Sequence, residues 1–189
     1  MNYDMQSKET IYNGVRFRSR LEAKWAAFFD LTGWDWHYEP CELNGFTPDF
    51  IIKTTSHAYD TNTIIVEVKP SVLLNEDEVK ILYNKYRGIK AHLLILTDTP
   101  FYFSSSGYLS IGKGLQYSEY IEQFSSKDLY DFEMKCGNDF GSSYISYDGM
   151  VYGDVERKSF LEMSDDTHEI MGRWIDAAEA VRLIVKNRK

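Results

Sequence analysis

The strongest constraint on how this chain folds is the run Thr63-Ile64-Ile65-Val66-Glu67-Val68-Lys69, closed by Pro70. Its β-branched residues favour extended backbone, and its nearly continuous apolar character is that of an interior strand. Successive side chains of a strand point to opposite faces, so Glu67 and Lys69 share one face at the C-terminal end. A carboxylate and an ammonium are costly to bury there unless they pair or hold a ligand. The same segment is therefore both core and candidate site.

Two further acids precede it. Pro48-Asp49 opens a second apolar run, Phe50-Ile51-Ile52. Upstream, Leu21, Trp25, Phe28, Phe29 and Thr32 recur at helical spacing after Ser19, with Gly33 just beyond. That pattern predicts a helix over 20–32 with Glu22 in its first turn. One carboxylate at a strand end and another two residues before a lysine can hold a hard divalent cation, and the lysine can orient the attacking water. Such a set is what a metal-dependent phosphodiester hydrolase needs.

Each acid also has a plainer reading. Ser19-Arg20-Leu21-Glu22 fits a capping box, in which Glu22 reaches back to the helix start. Asp49 after Pro48 fits an ordinary turn. Glu67 and Lys69 fit a surface cross-strand pattern, although Ile64, Ile65, Val66 and Val68 around them point inward.

The segments Phe17-Arg18-Ser19-Arg20-Leu21-Glu22-Ala23-Lys24-Trp25, Tyr38-Glu39-Pro40, Phe46-Thr47-Pro48-Asp49-Phe50 and Val66-Glu67-Val68-Lys69-Pro70 together resemble the PD-(D/E)xK nuclease superfamily. The likeness is to its small phage-type members and to transposon endonuclease subunits, and it covers roughly residues 11–98. It implies an α/β fold with a restriction-endonuclease-like core in the order α-β-β-β-α-β, a mixed sheet flanked by helices. It also implies a magnesium-dependent DNA endonuclease, with Mn2+ as a substitute. Asp49, Glu67 and the Val68 carbonyl would bind the ion, Glu22 would complete the shell, and Lys69 would position the water. Arg16, Arg18, Arg20 and Lys24 are the candidate DNA contacts. The setting implied is the cytoplasm of a bacterial host, with the gene carried by a phage or mobile element.

The remaining elements follow from pattern. Trp36–Glu39 and Phe50–Ile52 read as strands, the polar stretch 54–62 as a hairpin loop, and 63–69 as the third strand. Asn75 caps a helix to about Tyr86, striped by Val79, Leu82, Tyr83 and Tyr86. Residues 92–97 form a fourth strand, which completes a core over 1–98. Residues 99–189 read as an α+β elaboration packed on that core. It holds a hairpin across 101–111, a turn at Gly112-Lys113-Gly114, a short helix at 118–124 and short strands over 140–155. Its last helix is capped at Asp166-Thr167 and striped by Ile170, Met171, Trp174, Ile175, Ala178, Val181 and Val185.

Charge bears on partners. A net charge of −8 over 189 residues opposes generic nucleic-acid binding. Its distribution is uneven, because residues 8–24 hold five basic and two acidic side chains and the last eight residues add Arg182, Lys186, Arg188 and Lys189 without an acid. The acidity suits a protein partner, and the partners expected are DNA with a protein partner or a homodimer. A second reading is thus a non-catalytic protein-binding module on the nuclease fold, such as an inhibitor of a host defence protein or a subunit of a transposition complex. Cys41 and Cys136 form no CxxC pair, and a reducing compartment is expected. No apolar run reaches the length of a membrane span. Four scattered histidines have no ligand spacing, and no serine lies in a GxSxG elbow.

Overall fold

The computed structural model describes residues 8–53, 63–70, 75–98, 102–103, 109–115, 129–134 and 163–186. The chain opens with a hairpin, β1 (Thr10–Tyr12) and β2 (Val15–Phe17), followed by α1 (Arg20–Thr32), β3 (Asp35–Tyr38), β4 (Phe50–Lys53) and β5 (Thr63–Val68). It continues with α2 (Glu76–Tyr86), β6 (His92–Leu96), β7 (Tyr102–Phe103), β8 (Leu109–Leu115), β9 (Leu129–Met134) and α3 (Met163–Lys186). The expected order α-β-β-β-α-β runs from α1 to β6. The fold is α/β, with a mixed sheet flanked by helices.

In the sheet the strands lie in the order β3-β4-β5-β6-β8, with β7 pairing the start of β8 and β9 pairing β8 along its length. Among the described strands only β5 and β6 are parallel, and α2 is the crossover between them. The period of 2 in β5 divides the core in two. Ile64, Val66 and Val68 face the layer of Trp25, Phe28, Phe29 and Trp174, whereas Ile65 faces Val79, Leu82, Tyr83 and Tyr86 of α2. Glu67 has the parity of Ile65, so it points to the α2 side.

Local chemistry explains the boundaries of α1. Ser19 Oγ accepts from the Glu22 N–H at 3.1 Å, and Gly33 takes the left-handed conformation, φ 73°, that ends the helix. Asn75 caps α2 in the same way, accepting from the Glu78 N–H at 2.9 Å. The β1-β2 hairpin turns on Asn13-Gly14 with both φ angles positive, 46° and 79°. A second tight turn, Asn44-Gly45, closes the bridge between Leu43 and Phe46. Both are the Asn-Gly turns whose twist suits a two-residue hairpin. The first positions the site, since Phe17 at its end is buried against Tyr38, ring centroids 4.5 Å apart, and fixes the neighbouring Arg18 and Ser19.

Three expectations are corrected. Gly112-Lys113-Gly114 is not a turn but the middle of β8, paired to both β6 and β9. Glycine is required there by proximity, because a Cβ on Gly112 would lie 2.4 Å from the Ile95 carbonyl oxygen. The last helix begins at Met163, before the expected cap at 166–167. Its stripe also splits: Trp174, Ala177 and Val181 are buried against the α1 layer, while Met171 and Ile175 are exposed. The expected loop at 54–62, helix at 118–124 and strands over 140–155 lie outside the described residues. Among the described residues no helix is long and apolar enough to cross a membrane.

Two glycines should respond oppositely to alanine. Gly112→Ala should destabilise by about 1–3 kcal/mol through forced separation of β6 and β8. Gly172→Ala in α3, with nothing within 4 Å of its added Cβ, should stabilise by about 0.5–1 kcal/mol. Urea midpoints that move the same way for both would contradict the close approach at Gly112.

Candidate functional site

Three acids are buried around the end of β5 and the start of β4. Glu22, Asp49 and Glu67 are 8%, 8% and 2% exposed. They arrive from different sides: Glu22 from the first turn of α1, Asp49 from the residue before β4, and Glu67 from the α2 face of β5. A buried carboxylate requires donors, and each has them.

Asp49 Oδ2 accepts the Val68 N–H at 2.8 Å, and its Oδ1 accepts from Arg18 at 3.2 Å. Burial, the charge of Glu67 and then that of Glu22 push the Asp49 carboxyl up to about 7, against the lowering effects of the Val68 hydrogen bond and Lys69. Glu67 and Glu22 are therefore each close enough to act on Asp49 by their charge. Glu67 Oε1 accepts from Lys85 Nζ at 2.6 Å and from the Tyr86 hydroxyl, while Oε2 pairs with Lys69 Nζ at 3.3 Å. Burial, followed by the bond to Glu67, raises the Tyr86 hydroxyl pKa well above the ordinary phenol range, so it donates throughout. Glu22 Oε2 accepts the Tyr38 hydroxyl at 2.6 Å and the Arg18 N–H at 3.2 Å. Glu22 thus holds the chain entering α1, through the N–H of Arg18 and not that of the cap residue Ser19, and its charge acts on Asp49.

The expected site residues separate into two groups. Glu22, Asp49, Glu67 and Lys69 come together with Val68, and Arg18 joins them. The other basic residues do not converge on the acids. Arg16 on β2 is exposed and pairs with Glu9 at 3.5 Å, and Arg20 is an exposed residue of the first turn of α1. Lys24 stacks its ammonium 3.5 Å from the centroid of the Trp174 ring, where burial lowers its pKa. It is a clamp between α1 and α3.

The sequence reading gave no role to Lys85, Tyr86 or Glu39. Tyr86 was legible only as part of the apolar stripe of α2, since a helix residue that covers core with its ring can still present a hydroxyl at the rim. Glu39 belongs to the Tyr38-Glu39-Pro40 segment, and its carboxylate meets the same Arg18 nitrogen that Asp49 does.

Among the described residues no three of His, Cys, Asp and Glu are grouped so as to hold a metal ion. The physical reason is visible in the partners: each carboxylate is turned toward N–H or O–H donors. The donor chemistry nevertheless suits a hard cation, because a carboxyl raised first by burial and then by a neighbouring carboxylate, as Asp49 is, is what such an ion stabilises in its charged form. Comparisons with protein-family models, with curated proteins and with solved structures find no match.

The raised Asp49 carboxyl fixes a sign. The folded protein takes up this proton near pH 7, whereas the unfolded chain does so near 3.8. The stabilisation is therefore fully present below the unfolded value and is lost as pH rises through 7. In chelator, Asp49→Asn should gain on the wild type between pH 5 and pH 8 by roughly 2–3 kcal/mol. Denaturant melts showing a constant difference across that interval would contradict the assignment.

Proposed function

We propose that this chain is a metal-dependent DNA endonuclease with a PD-(D/E)xK-like core, hydrolysing phosphodiester bonds with Mg2+ or Mn2+. The observation that carries the reading is the convergence of buried Asp49 and Glu67 with Lys69 at the end of β5, next to an exposed arginine. The two carboxylates and the Val68 carbonyl would hold the ion, with Glu22 lending charge from behind. A bound divalent cation supplies a more acidic water and neutralises charge on the scissile phosphate.

The protein's own residues have separable tasks. Val68 N–H fixes the Asp49 carboxylate by its Oδ2. Lys85 and Tyr86 hold Glu67 by its Oε1, which leaves Oε2 toward Lys69. Lys69, partly exposed, orients the hydrolytic water and offsets charge developing on the phosphate. Arg16, Arg18 and Arg20 position the duplex through its phosphates without reading sequence. Lys24 is left out of that set, since its ammonium lies on Trp174.

One observation favours the second reading, a non-catalytic binding module on the same fold. Glu67 is met by Lys69, Lys85 and Tyr86, and a carboxylate so satisfied serves structure as readily as catalysis. Incubation with supercoiled, linear and branched DNA in Mg2+ or Mn2+ separates the two.

Asp49→Asn should lower cleavage on the order of a hundredfold or more, and Lys69→Ala should do so while retaining metal binding. Asp49→Asn is the cleaner carboxylate test. Glu67→Gln should also lower stability, by up to about 3 kcal/mol, because it leaves Lys85 and Lys69 beside an uncharged partner. Glu22→Gln preserves an oxygen for both Arg18 N–H and Tyr38, so its stability should stay within about 0.5 kcal/mol of wild type while cleavage falls. Equal nicking by Asp49→Asn and wild type would sink the enzymatic reading.

A further inference from the structure

We propose that Arg18 is a latch on the candidate ion site: its guanidinium holds Asp49 Oδ1 until a phosphodiester draws it away, and that exchange frees the carboxylate for the cation. The inference rests on the nuclease reading and adds to it an order of events.

Three observations and two chemical arguments support it. The Asp49 carboxylate has one oxygen committed to the Val68 N–H, at 2.8 Å, so the oxygen facing Arg18 is Oδ1. The side chains differ sharply in access, with Arg18 58% and Asp49 12% exposed, so the arginine lies outside the carboxylate and meets an incoming anion first. The planar guanidinium fork matches phosphate as well as it matches carboxylate, so exchanging one for the other conserves hydrogen bonding and charge. A divalent ion approaching Oδ1 is repelled by the guanidinium already there, which makes the two cations competitors.

The third observation is backbone strain. Glu39 has φ 43°, in the left-handed region, although it is not glycine and precedes proline, which favours extended backbone. Non-glycine residues held there are generally over-determined by their surroundings. Here the Glu39 N–H donates to the Asp49 carbonyl at 3.0 Å, and the Glu39 carboxylate lies on the Arg18 nitrogen that also meets Asp49. Glu39 therefore keeps the arginine at the site after Asp49 is released. The latch pivots on Glu39.

The test is titration calorimetry with Mg2+ alone, without DNA, on wild type, Arg18→Ala, Arg18→Lys, Arg20→Ala and Asp49→Asn, each checked for folding by circular dichroism. Arg18→Ala should bind Mg2+ about fivefold more tightly than wild type, the scale of a partly exposed ion pair. Arg18→Lys should fall between them. Arg20→Ala removes the same charge two residues away and should change affinity much less, and Asp49→Asn should lose the binding. With Ca2+ present, Arg18→Ala should bind a DNA duplex more weakly, and its log-log salt slope should be shallower by about 0.9. Equal tightening in Arg18→Ala and Arg20→Ala would overturn the latch in favour of a general charge effect. Unchanged or weaker Mg2+ binding in Arg18→Ala, with Asp49→Asn still deficient, would overturn the latch and leave the nuclease reading standing. Identical, negligible binding by all five proteins would overturn both.

Discussion

The hydrogen bond from Val68 N–H to Asp49 Oδ2 is the contact on which the rest of the site depends. It joins the residue before β4 to the end of β5, two antiparallel neighbours, at the point where their pairing has stopped. A backbone donor leaving a sheet needs an acceptor, and a carboxylate entering the interior needs a donor. One bond satisfies both. With Asp49 fixed there, Glu67 one residue earlier on β5 is brought near it, and their repulsion follows from the register.

Like charges so placed are tolerated because cations come from all sides. Arg18 approaches from the segment between β2 and α1, Lys69 from just past β5 and Lys85 from the last turn of α2. The fold thus brings cations from three segments to one charge cluster, and the aromatic group Phe17, Tyr38 and Phe50 packs beside the entry to α1. Glu22 connects the two systems, since its carboxylate receives both the Tyr38 hydroxyl and the Arg18 N–H.

Much of this was legible in the sequence where local chemistry decides the outcome. The caps Ser19 and Asn75, the stop at Gly33 and the alternation in β5 fix α1, α2 and the shared face of Glu67 and Lys69 without long-range information. What failed depended on neighbours distant in sequence. Gly112 looks like a turn residue until β6 is laid against it at a distance only glycine permits. Lys24 looks like a phosphate contact until Trp174 of α3 is found under it, about 150 residues later in the chain. Lys85 and Tyr86 gave no local sign of acting on Glu67, because only the parallel crossover through α2 brings them to it. The two Asn-Gly turns are different, since their signal was local and strong and the first hairpin could have been read from it.

We propose that Asp49 and Glu67 form one cation-binding unit which Arg18 closes. The most direct measurement is a crystal structure of the protein soaked in Mn2+ together with a short DNA duplex, with anomalous scattering used to find the ion. An anomalous peak is expected between Asp49 and Glu67, with the Arg18 guanidinium moved from Asp49 Oδ1 to a phosphate. Duplex bound in the crystal, no peak at these carboxylates and Arg18 still on Asp49 would contradict it.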